Sequence, residues 1–212
     1  MRMRRKPNLD SRIEKSARLL VARPESLRGG WLREREYKEL RLELGCGKGR
    51  FTADIAKAEP DVLFAAFEKT ANVLVIALER AEQEKLENIR FVNAYVDDLE
   101  RYFAPGELSR IYLNFCDPWP SNRHAKRRLT SQLYLEQYAR VLKPGGEIHF
   151  KTDNLSLFEY SLRELEFGGF SLAEEARDLH RDGPAGVMTD YERKFYGLGL
   201  PIYMCVARNA MR

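Results

Sequence analysis

The chain has 212 residues, of which 44% are hydrophobic and 32% are charged. This length suits one α/β domain with an extension, and no apolar run approaches the roughly 20 residues that a membrane helix needs. The spacing of Cys46, Cys116 and Cys205 matches neither zinc ligands nor a disulfide framework, so we expect reduced thiols, no metal and a cytoplasmic location.

The net charge of +4 is unevenly distributed along the chain. Residues 1–41 contain 13 Lys/Arg and 6 Asp/Glu and carry +7, whereas the other 171 residues carry −3. A solvated basic tail and a polyanionic partner are the two explanations. We divide the chain into a basic N-terminal arm and helix, residues 1–38, and a main domain, residues 39–212.

Strands and helices are predicted to alternate along the chain. After a flexible basic arm, residues 1–8, a short helix is expected from Asp10 or Ser11 to Leu20. The predicted strands are 40–44, 62–67, 89–94, 111–116, 147–152, 170–177 and 201–208. The predicted helices are 50–58, 71–85, 130–142 and 155–167, with a helical turn at 97–103, a basic loop at 121–128 and a long loop at 178–200.

This alternation predicts the α/β class, with a doubly wound, mostly parallel seven-stranded sheet and helices on both faces. The last two strands have no helix between them, which indicates a hairpin at one edge of the sheet. Ligands of such sheets bind at the carboxyl ends of the strands. That edge is predicted to hold the turn at Gly45, Glu68, residues 93–95, Asp117 and Asp153.

A glycine-rich turn follows the first strand. Gly45, Gly47 and Gly49 allow the backbone to turn tightly and to approach a ligand, and a helix begins directly after them. Glu43 stands two residues before the first glycine and suits a cationic ligand, such as a sulfonium, better than a pyrophosphate. The pattern is similar to motif I of class I S-adenosylmethionine methyltransferases, whereas Arg50 departs from the dinucleotide fingerprint. A purely structural turn is the alternative.

Two further strand ends carry functional signals. Glu68 ends the apolar second strand, where an acid accepts hydrogen bonds from ribose hydroxyls in nucleotide-binding folds. Asp117 opens the sequence Asp-Pro-Trp-Pro, in which both prolines mark and stiffen the end of a central strand. Trp119 offers a flat surface on which a base can stack.

Taken together, these motifs resemble those of the bacterial TrmB-type tRNA (guanine-N7-)-methyltransferase family. The resemblance runs nearly from end to end. It includes Met1–Lys6, Glu43–Gly49, Asp117–Pro120, Arg123–Leu129, Lys143–Gly146, Lys151–Asn154, and Thr189–Glu192 with Lys194 and Phe195.

The resemblance implies a Rossmann-like methyltransferase domain and a set of functional residues. Asp117 is expected to be catalytic. The expected cofactor-binding residues are Glu43, Gly45, Gly47, Gly49, Glu68, Asn93, Tyr95 and Asp117. The expected substrate-binding residues are Ser121, Arg123, Asp153, Thr189, Asp190, Tyr191 and Glu192. Tyr95 replaces an acid that the family usually has near the adenine, and Ser121 replaces a common lysine, whose charge Arg123 or Lys126 can supply.

By the same resemblance, the expected activity is methyl transfer from S-adenosyl-L-methionine to N7 of a guanine in the tRNA variable loop, position 46 in tRNA numbering. The expected partner is tRNA, the protein being a monomer or a homodimer. Two alternatives stay open at this point. One is a methyltransferase acting on another RNA or DNA base, and the other is a non-catalytic binder of an adenosyl ligand.

Overall fold

The structure is a computed structural model that describes residues 7–33 and 35–210. Most of the expected flexible arm, residues 1–6, therefore lies outside the described residues. Seven strands form one sheet: β1 Glu39–Leu44, β2 Val62–Phe67, β3 Ile89–Val92, β4 Leu108–Asn114, β5 Leu142–Thr152, β6 Phe170–Ala176 and β7 Tyr203–Asn209. The α-helices of the described residues are α1 Leu9–Glu14, α2 Arg50–Ala58, α3 Ala71–Gln83, α4 Gln132–Val141, α5 Leu155–Phe167 and α6 Asp190–Gly197.

The strand order is β3-β2-β1-β4-β5-β7-β6. The first five strands of this order pair in parallel, and β7 pairs antiparallel with both β5 and β6. The predicted mostly parallel seven-stranded sheet is thus confirmed, with β6 and β7 as the antiparallel hairpin at one edge. Among the described residues, no helix is both long and apolar enough to cross a bilayer.

Apolar layers cover both faces of the sheet, and β2 contributes to both of them. Its six residues are all buried, as expected for a strand in the middle of an α/β protein. Leu63, Ala65 and Phe67 pack in one layer with residues of α4 and α5. Phe64 and Ala66 point the other way and pack in a second layer with residues of α2 and α3.

The N-terminal segment packs against the main sheet. The first helix begins after Asn8, rather than at Asp10 or Ser11, and ends at Glu14 instead of reaching Leu20. Leu20 instead forms a parallel bridge with Phe91 at the edge of the sheet, because the N–H of the next residue, Val21, donates to the Phe91 carbonyl (2.9 Å). Pairing of residues 20–21 with the edge of the sheet therefore replaces the predicted extension of α1.

In the middle of the chain one predicted element is confirmed and one is wrong. Residues 97–103 contain the predicted helical turn, in which the Phe103 N–H donates to the Leu99 carbonyl (2.9 Å). Gln137 holds this segment, because its side chain accepts the Leu99 N–H (2.8 Å) and donates to the Asp97 carbonyl (3.2 Å). Strand β4 covers 108–114 instead of 111–116, so Asp117 lies three residues beyond the end of its strand.

Further differences lie in the second half of the chain. The expected basic loop contains a 3₁₀ helix, Asn122–Arg127. Strand β5 begins at Leu142 rather than at Glu147 and includes the glycine pair at 145–146. The expected long loop contains α6, whose first turn Thr189 caps.

A cleft at the carboxyl ends of the strands

Two adjoining cavities lie where the carboxyl ends of β1, β2 and β4 meet. The first, of about 250 Å³, is lined by Leu44, Gly45, Phe67, Glu68, Lys69, Ala94, Tyr95, Val96, Asn114, Phe115, Cys116, Asp117, Trp119, Arg127 and Leu129. The second, of about 270 Å³, is lined by Glu43, Gly45, Cys46, Gly47, Lys48, Arg50, Phe51, Asn114, Phe115, Thr189, Asp190 and Tyr191. Gly45, Asn114 and Phe115 border both cavities, which therefore adjoin, and we refer to the two together as the cleft.

The glycine turn forms the floor of this cleft. Gly45 and Gly47 have φ of 81° and 58°, and a Cβ on either would meet nothing within 4 Å, so both leave open space for a ligand. Gly49 differs from them. A Cβ there would lie 2.6 Å from the Cβ of Ala77 on α3, and Gly49 lines neither cavity. Close packing of α2 against α3 accounts for this glycine.

Glu43 lies beneath the turn and is almost completely buried. Its Oε1 accepts from Asn114 Nδ2 (3.1 Å), and its Oε2 accepts from the hydroxyl of Thr52 on α2. Burial raises the pKa of Glu43 from 4.5 to about 7, against the lowering effect of these two hydrogen bonds. The carboxylate is thus held at the boundary of the second cavity at a high electrostatic cost, which a cationic ligand would reduce.

Glu68 connects the turn to β2. Its two carboxylate oxygens accept from the N–H groups of Thr70 (2.8 Å) and Gly47 (3.2 Å), so Glu68 fixes the position of the glycine turn while it lines the first cavity. Asn93 does not line a cavity, and its side chain donates to the Glu68 carbonyl (2.8 Å). Tyr95 does line the first cavity and is 57% exposed.

The Asp-Pro-Trp-Pro turn forms one wall of the first cavity. Asp117 is exposed there, with Oδ2 3.5 Å from Lys69 Nζ. Arg128 holds the turn from behind, because its buried guanidinium donates to the carbonyls of Pro118 (3.2 Å) and Trp119 (3.0 Å). Trp119 itself has a φ of 42°, a left-handed conformation that is uncommon outside glycine.

The basic segment after this turn only partly reaches the cleft. The guanidinium of Arg127 lies 5.0 Å from the centroid of the Trp119 ring and lines the first cavity. Ser121 and Arg123 are exposed and line neither cavity. The structure therefore brings Arg127 to the cleft, while these two predicted substrate residues lie outside it.

The start of helix α6 forms one side of the second cavity. Its cap residue Thr189, together with Asp190 and Tyr191, lines that cavity. The carboxylate of Asp190 accepts a hydrogen bond from Arg50 at the start of α2. This ion pair joins two segments that are 140 residues apart in the chain.

Glu192 supports this helix from inside the protein and has no exposed surface. Its Oε2 accepts the Thr189 N–H (3.1 Å), which completes a capping box. Its Oε1 lies 2.9 Å from both Lys151 Nζ and His180 Nε2. Glu192 therefore orients the first turn of α6 and does not itself face the cleft.

Asp153 follows β5 and is only partly exposed. It does not cap α5. Asn154 does so, because its side chain accepts the Leu157 N–H (2.8 Å). Asp153 lines neither cavity, and its charge contributes, after burial, to a raised pKa of Tyr191.

Several residues of the cleft were not predicted from the sequence. They are Lys69, Asn114 and Phe115, which line it, and Thr52, which holds Glu43 from α2. Arg127, Arg128 and Lys151 belong to segments that already carried the family resemblance. The strand-end rule points to Asn114 and Phe115, since both immediately precede the Asp117 tetrad. Local pattern does not reveal that Lys151 pairs with Glu192, which is 41 residues away in the chain.

Comparison with known proteins identifies the family. A family model described as "Putative methyltransferase" matches residues 37–205. The tRNA (guanine-N(7)-)-methyltransferase of Geobacillus thermodenitrificans (strain NG80-2) is 46% identical over 209 residues, covering 98% of this chain and 97% of the relative. The chain belongs to the tRNA (guanine-N7-)-methyltransferase family. The family member from Geobacillus kaustophilus (strain HTA426) is also 46% identical, over 98% of this chain and 96% of its own length.

Solved structures with low sequence identity share the fold of this family member. The 16S rRNA methyltransferase KamB superposes with a TM-score of 0.63 at 18% identity, covering 87% of this chain and 91% of that one. TrmN from Thermus thermophilus superposes with a TM-score of 0.57 at 21% identity, covering 87% of this chain and 48% of that one. At these identities the likeness establishes the Rossmann-like methyltransferase fold alone.

Proposed function

We propose that this protein transfers the methyl group of S-adenosyl-L-methionine to N7 of a guanine in the variable loop of tRNA. The observation that carries the proposal is the 46% identity to tRNA (guanine-N(7)-)-methyltransferases over 98% of the chain. The cleft supports the proposal independently. It combines an open cavity next to the glycine turn with acidic residues at the ends of three neighbouring strands. A tRNA substrate agrees with the cytoplasmic location expected from the sequence.

The residues of the cleft fit S-adenosylmethionine. Gly45 and Gly47 leave room for the ligand backbone, and Glu43 offers negative charge at the cationic, methionine end. Glu68 retains lone pairs for ribose hydroxyls beyond its two backbone partners. Tyr95 borders the adenine end, where its ring offers an apolar edge in place of a carboxylate. When bound, the cofactor supplies an electrophilic methyl group on sulfonium.

The chemistry requires orientation more than proton transfer. Guanine N7 has an in-plane lone pair and no proton, so this protein needs no general base. Its side chains instead have to align N7 with the methyl group, which lowers the entropic part of the barrier. As the methyl group moves, positive charge develops on the purine.

Asp117 and Asp153 are the carboxylates that we assign to this charge. Asp117 lines the first cavity and is exposed to solvent. Asp153 directly follows β5, the strand next to β4. A carboxylate at the guanine edge accepts from N1–H and from the amino group, and it stabilises the cationic transition state electrostatically.

Binding of tRNA is assigned to basic residues around the cleft. Arg123, Lys126, Lys194 and the N-terminal arm supply cations for phosphate contacts, which fix the position of the RNA without reading its sequence. Ser121 lies at the start of the same segment as Arg123. Thr189, Asp190 and Tyr191 border the cavity that the target nucleotide approaches.

Incubation of the purified protein with methyl-labelled S-adenosylmethionine and unmodified tRNA transcripts tests the proposal. Nucleoside analysis by mass spectrometry is expected to show 7-methylguanosine at a single position in the variable loop. A transcript with adenine at that position serves as the matched control and is expected to remain unlabelled. Label on another base, or on an exocyclic amine, would favour a different nucleic-acid methyltransferase, and binding of the cofactor without transfer would favour a non-catalytic protein.

A further inference from the structure

Phe115 occupies an unusual position in the cleft. It is the first residue after β4, and its φ of 51° places it in the left-handed region, which costs a residue with a side chain about 1 kcal/mol or more. Its N–H donates to the Lys151 carbonyl (2.9 Å), so pairing with β5 holds the strained backbone in place. Strained residues of this kind concentrate at functional sites, where the side chain has to point in one direction.

Phe115 borders both cavities, and its side chain contacts a second aromatic residue. Its ring centroid lies 5.1 Å from that of Tyr191, which is 45% exposed and lines the second cavity. Tyr191 in turn stacks on Phe195 with centroids 4.5 Å apart and an interplanar angle of 24°. The capping box of Thr189 and Glu192 fixes the helical turn that carries Tyr191. Phe115 and Tyr191 thus form a supported aromatic wall in the cleft.

The product of the proposed reaction has a property that this wall can recognise. Methylation at N7 converts a neutral guanine into a cationic purine. The face of an aromatic ring attracts cations, and the attraction grows where water is excluded.

Trp119 is the competing aromatic surface, and its surroundings differ. The guanidinium of Arg127 already lies 5.0 Å from its ring centroid, and His124 meets the ring edge-on at 5.8 Å. The positive charge of Arg127 at the Trp119 ring repels a second positive charge, such as that of a methylated purine. The Trp119 surface therefore suits a neutral or anionic group better than a purine that becomes positively charged.

We infer that the target guanine stacks on the aromatic wall of Phe115 and Tyr191, and that this wall binds the cationic 7-methylguanine more tightly than guanine. The inference rests on the proposed function and assigns the side chains that stabilise its transition state. Because charge grows as the methyl group arrives, the wall contributes more to the transition state than to the bound substrate.

Binding of nucleotides tests the wall without relying on activity. The affinities of 7-methylguanosine 5′-monophosphate and of guanosine 5′-monophosphate are compared by titration of the full chain with S-adenosylhomocysteine present in excess. We expect the methylated nucleotide to bind about threefold to thirtyfold more tightly, the range of a cation–π contact. Phe115→Leu keeps an apolar side chain of similar size, and leucine has a similar energetic cost in the left-handed conformation. This variant is expected to abolish the preference, whereas Phe115→Tyr is expected to keep it.

Single-turnover methylation of tRNA gives the second measurement. Phe115→Leu is expected to slow the chemical step by a similar factor of about threefold to thirtyfold. Phe167→Leu, the same change at an exposed residue that lines neither cavity, is expected to stay within twofold of the unmodified protein. Equal affinities of the two nucleotides for the unmodified protein, or an unchanged preference in Phe115→Leu, would overturn the inference. If Phe115→Leu does not fold, Tyr191→Leu at the exposed partner decides the question by the same two measurements. A protein that prefers the methylated nucleotide but transfers no methyl group would contradict the proposed function alone.

Discussion

Asp117 is held at the rim of the cleft by a rigid turn and is exposed to solvent beside Lys69. Asp117→Asn keeps the shape of the side chain and one acceptor oxygen but removes the negative charge. If the charge stabilises a purine that becomes cationic only as the methyl group moves, the loss falls on the chemical step. We expect a single-turnover rate about 10²–10³-fold lower, as for other lost electrostatic contacts.

The control for Asp117 is Asp98→Asn, the same change at an exposed aspartate that lines neither cavity. This variant is expected to methylate tRNA at the unmodified rate. Melting temperature and cofactor affinity are measured for both variants, to separate chemistry from folding. A rate for Asp117→Asn within about threefold of normal, far from the typical loss, would shift the electrostatic role to Asp153.

Glu43 makes stability depend on pH in a predictable direction. Burial raises its pKa from 4.5 to about 7, so between these values the folded protein keeps a proton that the unfolded chain has released. The folded state binds more protons there, and the Glu43 contribution to the free energy of unfolding therefore falls as pH rises through this window. Glu43→Gln removes this dependence.

Urea denaturation at several pH values measures the effect. The free energy of unfolding of Glu43→Gln, minus that of the unmodified protein, is expected to increase by about 2 kcal/mol as the pH rises from about 5 to about 8. The matched control, Glu136→Gln, changes an exposed glutamate on α4 and is expected to follow the unmodified protein at every pH. A difference between Glu43→Gln and the unmodified protein that does not vary with pH would show that Glu43 titrates normally.

At the scale of elements, the turn after β4 depends on one buried cation. Arg128 donates to two carbonyls of the turn, and its guanidinium lies 4.2 Å from the centroid of the Tyr160 ring on α5. Arg128→Met leaves these carbonyls without their donor. We expect a loss of about 1–3 kcal/mol in the free energy of unfolding, typical of buried acceptors that lose a partner.

Arg127→Met is the matched control, because it makes the same substitution one residue earlier on an exposed side chain. Surface substitutions of this kind usually change stability by less than about 0.5 kcal/mol. Denaturant titration compares the two variants directly. Equal stability of both variants would mean that the turn holds its shape without Arg128.

At the scale of the whole molecule, the basic N-terminus is expected to contribute to tRNA binding. Deleting residues 1–6 removes four cations and leaves the first turn of α1, where the Arg12 N–H donates to the Asn8 carbonyl (3.0 Å), intact. We expect weaker tRNA binding and a salt dependence whose logarithmic slope is shallower by about 1 to 3, because fewer counterions are released. Filter binding over a range of salt concentrations measures both.

A full-length variant with glutamine at the four basic positions Arg2, Arg4, Arg5 and Lys6 separates charge from length. It is expected to reproduce the shallower slope of the deletion. Cofactor affinity serves as the control and is expected to stay unchanged in both proteins. An unaltered slope would show that these residues make no phosphate contacts.

The sequence by itself determined the strands, helices and turns that depend only on residues close together in the chain. The apolar run of residues 62–67 defines β2 within its observed bounds, because a strand covered on both faces needs no polar residue. Residues 155–167 define α5 within its bounds, since an apolar helical face ends there at two glycines. The acid–glycine pattern likewise predicted the turn that forms the floor of the cleft.

Tertiary structure decided the features that depend on distant partners. Arg12 and Arg18 belong to the basic segment that suggests a polyanionic partner, yet they pair with Glu79 and Glu82, which are 67 and 64 residues away in the chain. Glu192 resembles a substrate residue in sequence but is buried beneath α6. Burial and pairing across such separations arise only when the sheet brings the segments together, so a local pattern does not reveal which charges are free and which are already neutralised.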